Sequence, residues 1–198
     1  MKYSKQSIES ALKSKGYVWF EDKANKGYDL NIVGIRNSYP GHKVTNIFDD
    51  VMTVSYKSGE IWVYKEWACT TDPGRKGVME FHNASGVARL VEGQYRSSYI
   101  IGLHQGKYEA LRQHKPVKVY RDPDKDMEFD EQIIEEGLFG INIHKAGADS
   151  TYVENWSEGC QVFKRSADFA EFMNICKKAA KIHGPIFTYT LITSADIS

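Results

Sequence analysis

Val51-Met52-Thr53-Val54-Ser55-Tyr56, then Lys57-Ser58-Gly59, then Glu60-Ile61-Trp62-Val63-Tyr64-Lys65-Glu66-Trp67-Ala68, is the stretch from which the fold is read. Two alternating runs rich in β-branched and aromatic residues flank a short glycine turn. Period-two alternation places successive side chains on opposite faces, so the stretch reads as a β-hairpin. Similar runs follow the same rule at residues 30–36, 87–91, 99–103, 117–121, 139–144 and 186–192. In the run Phe139 to His144, Phe139, Ile141 and Ile143 point one way, and Gly140, Asn142 and His144 the other. Gln161-Val162-Phe163 is a further apolar strand.

Helical spacing is rarer. Ile8, Ala11 and Leu12 share one face of a helix over residues 4–15, capped by Ser4 or Ser7 and ended by Gly16. Phe169, Phe172, Met173, Cys176 and Ala180 recur at three- and four-residue steps over 167–182. Ser166 is the expected N-cap, and Gly184-Pro185 the stop. Residues 107–113 are expected to make one or two helical turns, Pro40-Gly41 a turn, and the acidic run Asp122 to Glu136 a surface loop. The expected architecture is one mostly-β (α+β) domain with a short N-terminal helix and a longer helix near the C-terminus. Residues 1–48 read as an N-terminal extension packed on a main domain of residues 49–198.

Composition narrows the function. The chain has 198 residues, and Lys+Arg and Asp+Glu are both 26. Without a basic excess, neither nucleic acid nor a membrane surface is an expected partner. Three cysteines, Cys69, Cys160 and Cys176, and no CxxC pair argue against a disulfide framework and a thiolate zinc site. The opening residues Met1-Lys2-Tyr3-Ser4-Lys5-Gln6-Ser7 lead into a polar helix, without the apolar run of a secretory signal. The expectation is a chain made in the cytoplasm, with no cofactor and no metal. Asp49-Asp50 has no partner ligands at a useful spacing and reads as an acidic turn.

One constellation carries chemistry. His144 ends a strand on its polar face, and Cys160 follows sixteen positions later, directly after Gly159. A nucleophilic cysteine needs a base near it, and the oxyanion that forms on its substrate needs donors. The backbone amides of Gly159 and Cys160 are the candidate donors. Spacing alone leaves open a surface histidine and a buried cysteine.

The segment Ile143-His144…Ser157-Glu158-Gly159-Cys160 resembles the catalytic motif of the L,D-transpeptidase (YkuD-type) family. There an Ile-His pair ends a strand, and a loop of similar length leads to Ser/Thr-x-Gly-Cys. The likeness is strong over residues 137–163 and loose over 50–120, where the hairpin and Thr70-Thr71-Asp72-Pro73-Gly74 resemble the family's early hairpin and loop. Residues 1–48 match nothing in it. The resemblance implies a β-sandwich-like fold and peptidoglycan stem peptides as substrate. It implies a thioester on Cys160, His144 as its base, and the backbone carbonyl of Lys145 as the third member. Two positions depart from the family pattern. Val162 stands where a basic residue is usual, and Glu158 where His or Lys is common. These put cross-linking, as opposed to hydrolysis, in doubt, and Glu158 is expected to face solvent. With no export signal seen, the implied setting is the bacterial cell wall, reached as a phage lysis or virion-associated wall peptidase.

Other residues have two readings each. Tyr95, Arg96, His104 and Arg121 sit at strand ends and are candidates for a substrate groove, with Arg96 or Arg121 pairing a carboxylate; ordinary turn and surface roles are the alternative. Asn142 either orients His144 or binds substrate, unless it only faces solvent. Ser157 is a further substrate-binding candidate. Trp156 either walls the groove or, the expected role, anchors its loop in the core. Cys69 and Cys176 read as structural, and His42, His82, His114 and His183 carry no signal. The rival function is a non-catalytic wall-binding or virion structural module on the same fold. An NlpC/P60-type peptidase has its Cys before its His, the opposite of the order here. Nothing in the sequence sets an oligomeric state.

Overall fold

The computed structural model describes residues 2–37, 43–80, 83–130 and 132–197, and they are mostly β with three helices. The hairpin forms as β2 (Asp50–Ser58) and β3 (Ile61–Thr70), paired from Asp50↔Cys69 to Ser58↔Ile61. Its turn is Gly59-Glu60, and both strands run longer than the alternation alone suggested. Six more strands join the hairpin: β1 (Asn31–Arg36), β5 (Gly93–His104), β6 (Tyr108–Gln113), β9 (Ile143–Lys145), β10 (Gln161–Phe163) and β11 (Ile186–Thr193). They close a barrel in the order β1-β11-β5-β6-β9-β10-β3-β2. The pairs β1·β11 and β9·β10 are parallel, and the other pairs are antiparallel. A separate three-stranded sheet contains β4 (Val87–Leu90), β7 (Val117–Asp122) and β8 (Ile134–Gly137). The mostly-β expectation holds, and the strands pair as a barrel and a small sheet where the resemblance implied a sandwich.

Alternation explains how the barrel is covered. On β1 and β2, Ile32, Met52 and Val54 belong to the main core, while Val33, Ile35 and Val51 pack outward beneath helix α1 (Lys5–Ser14). That helix buries Ile8, Ala11 and Leu12, and Ser4 caps it reciprocally with Ser7. The boundary drawn at residue 48 falls between β1 and β2, which are hydrogen-bonded neighbours. Helix α3 (Ser166–His183) sets Phe169 and Phe172 against Phe163 and Trp67. Cys69 and Cys176 are buried in this core. Arg165, not Ser166, is the N-cap of α3, and no side chain caps it; Asp168 supplies the negative charge that the helix N-terminus favours.

Long-range pairing overrode several local readings. Residues 108–113 are strand β6, not helix, paired with β5 from His104↔Tyr108 to Tyr99↔Gln113. The turn between them has Gln105 and Gly106 both at positive φ, 50° and 71°, the backbone twist that joins antiparallel strands. Tyr95 and Arg96 lie inside β5 and not at a strand end; β5 is broken only by a bulge near Ser97, opposite Phe187 to Tyr189. The acidic stretch gives its last residues to β8. Between Phe139 and His144 only the end is strand, because the Phe139 and Ile141 N–H groups donate to Gln113 Oε1, both at 3.0 Å, instead of to a ladder. A helix that was not foreseen, α2 (Arg75–Glu80), follows the Pro73-Gly74 loop.

Asp49-Asp50 is not an acidic turn. Asp50 opens β2, is buried, and accepts from Asn37 N at 2.7 Å, Thr71 N at 2.6 Å and Thr71 Oγ1 at 2.8 Å. Beside it Arg36, only 2% exposed, donates to Thr71 O and Leu90 O, both at 2.9 Å, and pairs with Asp72 at 2.8 Å and Glu92 at 2.5 Å. These bonds pin the 70–72 segment and the end of β4 to the barrel. The Pro40-Gly41 turn, His42 and His82 lie outside the described residues. Among the described residues, no helix is long and apolar enough to cross a membrane.

Candidate active site

The parallel pair β9·β10 brings His144 and Cys160 together. Its register is Ile143↔Gln161, His144↔Val162 and Lys145↔Phe163, and Gln161 N donates to Asn142 O at 2.9 Å just before it. Ile143 and Phe163 face the main core. Alternation then turns His144 and Val162 outward, and carries Cys160, one residue before Gln161, to the same outer face. His144 and Cys160 both line one cleft of about 600 Å³, together with His104, Tyr108, Lys107, Lys145, Trp156 and Glu158.

His144 is buried, and its Nδ1 lies 3.0 Å from the carbonyl oxygen of Lys145. A carbonyl only accepts, so Nδ1 carries the proton and Nε2 is left as the basic nitrogen. The Tyr108 hydroxyl donates to the same carbonyl at 3.4 Å and lies 3.4 Å from Nδ1. Burial, and next the neighbouring His104, push the His144 pKa from 6.5 down to about 4; the Lys145 carbonyl acts weakly in the other direction. The Cys160 thiol donates to Gly140 O at 3.4 Å and accepts from Asn142 N at 3.4 Å. Burial pushes this thiol up to about 11; the Asn142 N–H works against that, and the charge of Glu158 adds to it. At neutral pH the resting pair is therefore a neutral thiol and a neutral imidazole.

The approach to Cys160 is held from beneath. Ser157 is fully buried; its Oγ donates to Cys160 O at 2.8 Å and accepts from Gly159 N at 3.2 Å. Its own carbonyl accepts from Gly74 N at 2.9 Å, which ties the loop to the segment that Arg36 pins. Gly159 has φ 113°, and a Cβ there would stand 2.1 Å from Ala88 O on β4. Only glycine fits both that backbone and that approach. Ser157 thus frames the loop that leads to Cys160 and is not among the cleft-lining residues, and the Gly159 amide is already engaged by Ser157 Oγ.

The other candidates divide. His104 lines the cleft and stacks on His144, with ring centroids 4.1 Å apart and planes 19° from parallel. Asn142 accepts from Gln113 N at 2.9 Å and donates to His104 Nδ1 at 3.2 Å, so it contacts His104 and not His144 through its side chain. Trp156 is 43% exposed on the cleft wall and does not anchor the core. Glu158 is exposed as expected, and it also lines the cleft. Tyr95 bonds Val91 O at 2.6 Å, Arg96 is exposed on β5, and neither lines the cleft. Arg121 is buried in the small sheet, paired with Glu135 at 2.8 Å, and its guanidinium lies over Phe139. Val162 is fully buried in a cluster with Phe48, Ala146 and Val153, which leaves no room for a basic side chain. Gln161 joins Gly159 O to the Tyr189 hydroxyl, at 3.2 and 2.8 Å.

Sequence reasoning missed Tyr108 and Lys107, because both fell in a segment read as helical. Gln105-Gly106 directly after His104 was the available hairpin signal. Lys145 entered through its carbonyl; its ammonium lies 5.1 Å from the Tyr108 ring centre, on the cleft wall. Among the described residues, no group of three or more His, Cys, Asp and Glu side chains could hold a metal ion. Comparison with protein-family models, with curated proteins and with solved structures finds no match.

Proposed function

We propose that this chain is a peptidoglycan-directed cysteine acyl-transfer enzyme, L,D-transpeptidase-like, acting on stem peptides through a thioester on Cys160. The observation that carries the reading is the placement of His144 on β9 and of Cys160 one residue before β10, its parallel neighbour, in one cleft. The reading takes the barrel and small sheet together as a relative of the sandwich-like scaffold of that family. In the first step Sγ attacks a peptide carbonyl carbon while His144 Nε2 takes the thiol proton. The C–N bond breaks, and the imidazolium returns that proton to the leaving amine. In the second step an acceptor amine or water attacks the thioester, His144 takes the attacking group's proton, and the thiol is regenerated. An amine gives a cross-link and water gives a shortened peptide. A neutral base at neutral pH suits this sequence, because His144 can accept a proton without first losing one.

The test is incubation with stem peptides, with and without an acceptor amine, read by mass spectrometry. Cross-linked products mean transferase and shortened ones peptidase. Undiminished turnover by Cys160→Ala protein would rule the reading out.

A second reading, a non-catalytic wall-binding or virion structural module, draws on the raised thiol pKa and the engaged Gly159 amide. It predicts binding to purified walls with no adduct at Cys160 after incubation with a stem-peptide thioester.

A further inference from the structure

The cleft holds a second imidazole, and its proton can be placed by the same reasoning as that of His144. Asn142 Oδ1 faces the backbone N–H of Gln113 at 2.9 Å. A backbone N–H only donates, so that atom must be the amide oxygen. The atom facing His104 Nδ1 at 3.2 Å is then Nδ2, which only donates. His104 Nδ1 must therefore be a bare acceptor, and the proton of the neutral ring sits on Nε2. His144 is the reverse, with its proton on Nδ1 toward Lys145 O and Nε2 bare. The rings lie face to face, 4.1 Å apart.

We propose that His104 and His144 form a stacked pair of neutral imidazoles of opposite tautomer, in which His144 offers the lone pair that takes the thiol proton and His104 offers an N–H to an acceptor oxygen of the acyl donor, with Asn142 as the residue that positions and polarises His104. The last part rests on the acyl-transfer reading above; the tautomers do not. A charged His104 is disfavoured twice. Its Nδ1–H would face the Asn142 NH₂ donor, and its charge would be buried, with Lys107 and Arg112 adding repulsion. The pair also answers a shortage in the site. The Gly159 amide, a candidate oxyanion donor, is already bound to Ser157 Oγ. His104 Nε2–H is a donor on the cleft wall whose Nδ1 end is fixed.

Long-range proton–nitrogen NMR on the ¹⁵N-labelled full chain at pH 7 reads both tautomers directly. The expected result is an unprotonated Nδ1 in His104 and an unprotonated Nε2 in His144. The same tautomer in both rings, or a charged His104, overturns the pair. In Asn142→Asp a carboxylate faces His104 Nδ1 and must draw a proton to it; an unchanged His104 overturns the role given to Asn142. With a stem tetrapeptide and an acceptor amine, His104→Phe keeps a ring but loses the N–H, and turnover is expected to fall about 100-fold, the low end for loss of one such donor. His104→Gln returns an N–H near Nε2 and is expected to recover at least a tenth of wild-type turnover. Wild-type turnover in His104→Phe overturns the donor role. Opposite tautomers in a wild-type chain that turns over no stem peptide count against acyl transfer and for the pair.

Discussion

His144 gives its one ring proton to the carbonyl of the very next residue, Lys145, at 3.0 Å. The bond closes within a single strand, so the imidazole is oriented by the backbone of its own chain segment and not by a carboxylate elsewhere. A carboxylate partner would hold a positive imidazole. A carbonyl gives much weaker support to the charge, and burial wins.

A stability window follows. The folded His144 pKa of about 4 lies below its ordinary value of 6.5, so between these values the unfolded chain binds the extra proton. Above pH 6.5 the full stability is present. It drains away as pH falls toward 4, by roughly 3 kcal/mol at 1.36 kcal/mol per pKa unit. Urea denaturation at pH 7.5, 5.5 and 4 should show this loss in wild-type protein and a shallower one in His144→Gln. Parallel slopes would show that His144 is not held neutral. Turnover should keep an acid limb near pH 4, with no break near 6.5.

Cys160 should be a slow nucleophile toward simple alkylating agents. With its thiol near 11, iodoacetamide labelling should rise about tenfold per pH unit from 7 to 9. Peptide mapping should still find Cys160 labelled ahead of Cys69 and Cys176, which are buried more completely and whose thiols burial also pushes up. Glu158→Gln removes a charge that opposes the thiolate, and should speed labelling ~2–5-fold at pH 8. A slower rate in that variant would show that Glu158 does not act on the sulfur.

Ser157→Ala should loosen the approach to the nucleophile. It strips a partner from both Cys160 O and Gly159 N, and should cost about 1–3 kcal/mol in urea denaturation. Gly159→Ala adds a Cβ against Ala88 O at a left-handed φ, and should cost about 2–5 kcal/mol from strain and overpacking. If Gly159→Ala proves as stable as wild type, β4 does not press on this loop as described.

Arg36→Leu should be among the most damaging single changes far from the cleft. It leaves Asp72 and Glu92 short of a buried cation, and should cost about 3–5 kcal/mol. Because the 70–74 segment supports Ser157, Cys160 labelling should also change in the folded fraction. A loss under about 1 kcal/mol would mean that the network can rearrange around the gap.

Local signals were legible where the chain makes its own pattern. The β2–β3 hairpin, α1 with its Ser4 cap and the apolar face of α3 all stand within a few residues of their cause. That His144 and Cys160 come together was legible because each stands beside a readable strand. Residues 108–113 were not, since only pairing with β5 selects strand over helix there. The His104–Asn142 contact spans 38 residues and the Gln113–Asn142 bond 29, and neither leaves a periodic trace. Trp156 was misplaced because an aromatic residue in a loop reads the same whether it faces a cleft or a core.

Parallel strands cannot be joined by a tight turn, and β9 and β10 run the same way. The chain between His144 and Cys160 must travel back along the barrel before the second strand begins. That return path is the segment that hangs Asn155, Trp156 and Glu158 over the cleft. His144 and Cys160 are fixed by the staves, and one wall of the cleft they share is carried by the strap between. On the proposed function, a graft that changes the strap's length or side chains should retune substrate choice while His144 and Cys160 stay in register.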